Sequence, residues 1–423
     1  MKVKIYPSKV NGTVTIPPSK SMSHRAIICA SLANGTSTIT NVAYSDDIKI
    51  TIEGMRQLGA NITCFEDRII IRGIKDFSTL REDTIFCNES GSTLRFFIPI
   101  FSLCDRMVSF TGKNRLLKRP QKIYETLFRE QNIFYEHSEE KLTIGGKLHA
   151  GSITLDGDVS SQFISGLLFA LPLLEADSTI HIKEPYESRS YVDLTLQMLH
   201  LYGIKADYCD ANTLVIPGNQ QYKAHDYEIE GDYSQCGFFA VLGAINHDII
   251  CHGLSPTSLQ GDRIIIPILK NSGASISNQE KGFRITKSNL HATEIDLQDC
   301  PDLGPILMVM AMYTKGKTRI YNAQRLRYKE SDRIAAMEEE LKKLGVLIHT
   351  TESEIFIEGK ERYTGNVLLS GHKDHRIVMS LCIAATLFEH PVIIEEAQSI
   401  NKSYPAFFED LSSLGVSLEI IYD

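Results

Sequence analysis

The sequence predicts an α/β protein of two globular domains, each built from three βαβαββ repeats. Three recurring landmarks predict it. The first is a helix that ends at glycine and leads into a strand: "MRQLGANI", "MLHLYGIKA", "LKNSGASI", "LKKLGVLI" and "LSSLGVSL". Their glycines are Gly59, Gly203, Gly273, Gly345 and Gly415, and the last three intervals are 70, 72 and 70 residues. The first interval is 144, twice 72, and "LFREQNIFYE" with Asn132 fills the gap. Glycine suits the left-handed residue that ends a helix, and asparagine tolerates that conformation next best.

The elements of one repeat follow in order. Each opens with a short strand, a polar knot and an apolar helix. The six copies read "VTIPPSKSMSHR", "TIFCNESGSTLR", "ITLDGDVSSQFI", "YEIEGDYSQCGF", "EIDLQDCPDLGP" and "VLLSGHKDHRIV". Ser, Asp and Asn in the knots are helix N-cap residues. Helices such as "SQFISGLLFALPLL" are apolar nearly all round, so they belong in a core. A second strand follows, as in "STIHIKE" or "KTRIYNA", then a polar loop and an amphipathic helix that ends at the glycine. A hairpin completes the unit. Six such units fill 423 residues, too many for one core. "MKVKIYP" resembles the strand missing after "GVSLEIIYD". The expected domains are therefore 1–16 with 227–423, and 17–226, with the active site in the cleft between them.

Composition narrows the function. Lys and Arg total 44 against 52 Asp and Glu, a net charge of -8, which disfavours nucleic acid and anionic membranes as partners. No run of 18 apolar residues suggests a membrane span. The first motif begins by position 17, leaving little room for a targeting extension, so a cytoplasmic protein is expected. The nine cysteines are scattered without a CxxC pair and read as reduced core thiols. No cluster has zinc-ligand spacing, so no metal is expected.

The polar knots sit where helix N-termini point free N–H groups outward, which favours anions. Cations and hydroxyls join them: Lys20, Ser21 and Arg25; Ser90 and Gly91; Ser160, Ser161 and Gln162; Asp374, His375 and Arg376. The loops before the second helices add Arg115 and Arg119, Ser188 and Tyr191, Lys329, Glu330 and Arg333, and Lys402. Each knot alone reads as a cap or a solvated face. Together they point to a cleft that holds several anionic groups. "TKGKTRI" is no P-loop, and neither GxGxxG after a strand nor GxSxG occurs.

"PPSKSMSHRA", "ESGSTLRF", "TGKNRLLKRP", "GDVSSQFISGLL", "PDLGP", "RLRYKESDR" and "DHRIVMS", in order along the chain, resemble the 5-enolpyruvylshikimate-3-phosphate synthase family. The resemblance implies an inside-out α/β barrel pair of six repeats. It also implies transfer of the enolpyruvyl group of phosphoenolpyruvate to the 5-hydroxyl of shikimate 3-phosphate, with release of phosphate. No cofactor and no metal are implied; the partners are the two small substrates, and a monomer is expected. By the resemblance, Lys20, Ser21, Arg25, Ser160, Ser161, Gln162, Ser188, Tyr191, Asp302 and Lys329 bind shikimate 3-phosphate. Lys20, Gly91, Arg115, Gln162, Arg333, Arg376 and Lys402 bind phosphoenolpyruvate. Asp302 is the proton acceptor and Glu330 the proton donor, with Lys20 assisting. Two positions depart from the family pattern: Glu89-Ser90-Gly91-Ser92 replaces Asn-Ala-Gly-Thr, and Arg325 replaces an asparagine. The first resembles a variant tied to glyphosate tolerance.

The rivals are the sister enolpyruvyl transferase acting on UDP-N-acetylglucosamine and a six-repeat DNA clamp. The first usually carries a cysteine in the loop Gly112–Pro120, absent here. The second needs basic helices around a hole, whereas these helices are apolar or mixed.

Seven cations, Lys20, Arg25, Arg115, Lys329, Arg333, Arg376 and Lys402, stand against Asp302 and Glu330. The two substrates bring a charge of about −5 to −6. Empty, such a cleft repels itself. Solution scattering is expected to show a more compact particle with both ligands than with none; one unchanged envelope rejects the expectation.

Overall fold

The structure, a computed structural model, describes residues 1–422. The chain is α/β and has six βαβαββ repeats, assembled into two compact units: Met1–Pro17 with Glu230–Asp423, and Pro18–Ile229. The boundary placed at 226/227 falls three residues later, because Tyr227–Glu228 pairs with Ile39 and Thr40.

Among the described residues there are six four-stranded sheets, one for each repeat, and three of them take a strand from a distant part of the chain. The third is typical. Ser152–Asp156 runs parallel to Ser178–Lys183, with the apolar helix Ser161–Ala170 between them. Thr213–Ile216 then pairs antiparallel with Ser178–Lys183, and Asp207–Tyr208 forms the edge. A parallel pair needs such a crossover, whereas the antiparallel pair needs only a hairpin.

Two repeats exchange their first strands. Asn11–Thr15 of the first repeat pairs with Asp248–His252 of the fourth, and Tyr227–Glu228 of the fourth pairs with Thr36–Thr40 of the first. This exchange is how the chain passes twice between units. The sixth repeat takes its last strand from the N-terminus: Lys2–Ile5 pairs with Leu418–Ile421 and with Val392–Ile394.

Each unit has its own core, fed by three apolar helices. In the first unit these are Tyr233–Ile245, Gly304–Met312 and His375–Ala385; every residue of each is buried. In the second they are Lys20–Leu32, Gly91–Ser102 and Ser161–Ala170. The six helix-ending positions all have positive φ, from 57° at Asn132 to 120° at Gly59. Among the described residues no helix is long and apolar enough to cross a membrane. Six of the nine cysteines are buried; Cys64 and Cys209 are exposed and Cys104 lies between.

Candidate active site

The first unit gathers six of the expected residues into one ion network. Asp302 lies in the 3₁₀ turn Pro301–Leu303, ahead of an apolar helix. Lys329 and Glu330 follow the 3₁₀ turn Gln324–Tyr328, and Arg333 opens the helix Arg333–Lys343. Arg376 is in the first turn of His375–Ala385, and Lys402 ends the turn Ala397–Lys402.

Arg333 is the hub, with a side chain only 1% exposed. It donates from Nε to Asp374 Oδ2 at 2.8 Å, from Nη2 to Glu330 Oε2 at 2.8 Å and from Nη1 to Asp302 Oδ1 at 3.2 Å. Asp302 also accepts from Lys329 Nζ at 3.2 Å and from Arg376 Nη2 at 3.1 Å. The Lys402 ammonium lies 3.8 Å from Glu330 Oε1. A buried guanidinium with three carboxylates satisfies its donors in the bidentate manner that arginine allows.

The charges act on one another. Burial by itself would raise the Asp302 carboxyl, but Arg376, Lys329 and Arg333 hold it well below the usual carboxylate range. Asp374 is likewise lowered, by Arg333 against the effect of burial. Burial pulls the Lys329 ammonium down to about 8, offset partly by Asp302 and reinforced by Arg325 and Arg333. Arg325 is thus a buried cation beside the site, where the family pattern has a neutral amide.

In the second unit, Ser19 caps the first apolar helix and Lys20 Nζ pairs with Asp47 Oδ2 at 2.8 Å. Arg25 is buried and held by four bonds: Nε to Thr195 Oγ1 at 2.9 Å, Nη1 to the Ser21 carbonyl at 2.7 Å, and Nη2 to the Tyr191 carbonyl at 2.8 Å and Ser165 Oγ at 3.5 Å. Burial lowers its pKa to about 10. Ser188 and Tyr191 meet at the start of Arg189–Leu201, where Ser188 has φ 53°.

Ser90 and Ser160 cap the next two helices. Gln162 bridges them: Nε2 donates to Ser92 Oγ at 3.0 Å, and Oε1 accepts from Arg95 Nη1 at 2.8 Å. Ser161 stands beside it at the helix start. Gly91 leaves a close approach open, since a Cβ there would lie 2.8 Å from Arg119 Nη1. Arg115, four residues earlier in the same loop, is exposed. Of the loop's two arginines, Arg119 is the one that reaches Gly91. Glu89 accepts from the side-chain amide of Asn114, which ties this loop to the helix start.

Sequence reasoning missed Asp47 and Ser234, and it named Asp374 only as a member of the sixth knot. Asp374 caps its helix by accepting the Arg376 backbone N–H at 3.0 Å, and it also pairs with Arg333. Asp47 pairs with Lys20, and Ser234 accepts from Arg376 Nη2 at 2.8 Å. The sequence placed Asp374 in the last knot; its pairing with Arg333 follows from the burial of both side chains, which no local pattern records.

Asp374→Asn keeps the shape but sets an amide N–H against donors. It is expected to cost about 3 kcal/mol, a fall in Tm of roughly 6–12 °C for a unit of this size. Calorimetry showing a fall below ~2 °C contradicts the assigned pair.

The family model for EPSP synthase (3-phosphoshikimate 1-carboxyvinyltransferase) matches residues 5–411. A 3-phosphoshikimate 1-carboxyvinyltransferase of Clostridium perfringens is 48% identical over 417 residues, covering 98% of both chains. That of Clostridium beijerinckii is 45% identical over 422 residues, covering 98% of this chain and 97% of the relative. The solved structure of EPSP synthase from Acinetobacter baumannii superposes with a TM-score of 0.81 at 25% identity, covering 99% of each chain. The chain belongs to the EPSP synthase (3-phosphoshikimate 1-carboxyvinyltransferase) family.

Proposed function

We propose that this protein transfers the enolpyruvyl group of phosphoenolpyruvate to the 5-hydroxyl of shikimate 3-phosphate and releases phosphate. The observation that carries the reading is the network around Arg333, where Asp302 and Glu330 stand among four cations, Lys329, Arg333, Arg376 and Lys402. Two carboxylates amid anion-binding groups suit proton transfer between anionic substrates. The family match over nearly the whole chain supports it.

The residues take these roles in the proposal. Lys20, Ser21, Arg25, Ser160, Ser161, Gln162, Ser188, Tyr191, Asp302 and Lys329 hold shikimate 3-phosphate. Arg333, Arg376 and Lys402, with Lys20, Gly91, Gln162 and Arg115, hold phosphoenolpyruvate. Asp302 accepts the 5-hydroxyl proton, and Glu330, helped by Lys20, protonates the methylene carbon. In this addition the 5-oxygen bonds to the carbon that bears the phosphate; the tetrahedral adduct then breaks its bond to the phosphate oxygen while a proton of the new methyl group passes to a carboxylate of the site, which restores the double bond, and the arginines stabilise the phosphate released.

Electrostatics set the order of events. In the free enzyme Asp302 is held ionised and is a weak base. Substrate phosphate and carboxylate near Arg333 and Arg376 oppose that hold, so the carboxylate becomes more basic as the site fills.

Phosphate release is expected only with both substrates present; release that ignores shikimate 3-phosphate would point to a phosphatase. Glu330→Gln is expected to lower kcat by about 10² to 10⁴. Near-normal turnover removes Glu330 from the acid's role.

Lys329 generates a second expectation. Its charge is present below about 8 and lost as pH rises through that value. Since kcat/KM reports the free enzyme, kcat/KM for shikimate 3-phosphate should fall on this alkaline limb. Lys329→Arg should move the limb upward; a limb that stays in place assigns it to another group.

A further inference from the structure

The turn at 370–373 is strained and leads directly into the site. His372 and Lys373 have φ of 49° and 53°, two successive non-glycine residues in the left-handed region. Such a turn persists only where its surroundings hold it, and two carboxylates from other segments do. Glu340, a wholly buried residue of the helix Arg333–Lys343, accepts the Ser370 backbone N–H on Oε2 at 3.0 Å. Its Oε1 lies 2.9 Å from His372 Nε2. Glu396 Oε2 accepts the Lys373 backbone N–H at 3.0 Å and the Ser370 hydroxyl at 3.3 Å.

The turn ends at Asp374, which pairs with Arg333 and caps the helix that carries Arg376. Glu340 and Arg333 are seven residues apart on one helix, so they share a face two turns apart. That face grips the segment twice: at Asp374 through Arg333, and at Ser370 and His372 through Glu340.

Glu339, Glu340 and His372 also bring ligand atoms within 4.8 Å of one another, the spacing of a metal site. The Lys343 ammonium already supplies the cation. It lies 2.8 and 3.0 Å from the two Glu340 oxygens and 3.3 Å from Glu339. The cluster therefore reads as a fastening.

We propose that Glu340 and His372 are positioning residues for Arg376: their pairing holds the 370–373 turn, and with it the start of the helix that directs Arg376 at phosphoenolpyruvate. The inference rests on the reading that Arg376 engages that substrate.

The groups facing His372 are Glu339, Glu340 and Lys343 from the helix and Glu396 from the segment before Ala397–Lys402. The Glu340 hydrogen bond raises the imidazole above its ordinary value; burial opposes this, and the charges of Glu340, Glu339 and Glu396 add to it. A raised histidine contributes fully below its ordinary pKa and loses its contribution as pH rises through the folded value. The fastening therefore weakens on the alkaline side.

The test measures kcat and the KM of each substrate from about pH 6 to about pH 9, across the titration of histidine. The variants are Glu340→Gln, His372→Ala, His372→Lys and Arg376→Lys. His372→Ala and Glu340→Gln are expected to raise KM for phosphoenolpyruvate about tenfold, with KM for shikimate 3-phosphate and kcat within about twofold. His372→Lys keeps a cation facing Glu340. It should restore KM for phosphoenolpyruvate and flatten its rise with pH. If Glu340→Gln does not fold, the His372 variants still decide. An unchanged KM in His372→Ala while Arg376→Lys raises it overturns the positioning role alone. An unchanged KM in Arg376→Lys overturns the reading of Arg376 and takes the inference with it. An equal rise in both KM values marks general loss of structure and also overturns it.

Discussion

A guanidinium with 1% exposure cannot be left uncompensated, and Arg333 is such a group. Its five donors draw Asp374 and Asp302 from distant segments and hold Glu330 of its own segment. Once Asp374 is so placed, the helix start it caps is placed as well, and Arg376 with it. Because that helix is buried along its whole length, the core and the ion network constrain each other. Replacing such a pair by apolar groups often costs nothing, whereas losing one partner costs much. The pair is thus better understood as fixing an arrangement than as a source of net stability.

The six knots divide the work unequally. Ser19, Ser90, Ser160, Asp232 and Asp374 cap their helices with side chains. The fifth knot does not: the turn Pro301–Leu303 leads into its helix, and no side-chain cap is made. Pro301 and Pro305 carry no N–H, so fewer donors need a cap there. Asp302 is consequently released from capping, and its carboxylate turns to Lys329, Arg333 and Arg376. The repeat that departs from the common pattern is the one that supplies the proposed base.

Much of the fold was legible because the repeat is local chemistry written six times: a strand, a capped apolar helix, a strand, an amphipathic helix and a turn with positive φ. The site was legible in its cations, since lysine and arginine at helix starts stand out. Its carboxylates were less so. Asp374 and Asp47 look like ordinary caps or first-turn acids in the sequence, and only proximity to Arg333 and Lys20 reveals their second task. The loop with Arg115 and Arg119 shows the same limit: spacing names both arginines, and backbone geometry turns one of them toward Gly91.

By itself the sequence determined the class of fold, the six repeats and the residues that stand at the helix starts, because caps, periodicity and glycine conformation depend on near neighbours. Tertiary structure alone decided that the first strands of two repeats change places, that Asp374 partners Arg333, and that Glu340 fastens the turn before Arg376. Those outcomes follow from satisfying buried charges and strand edges across long stretches of chain, and no local pattern records which distant group will do so.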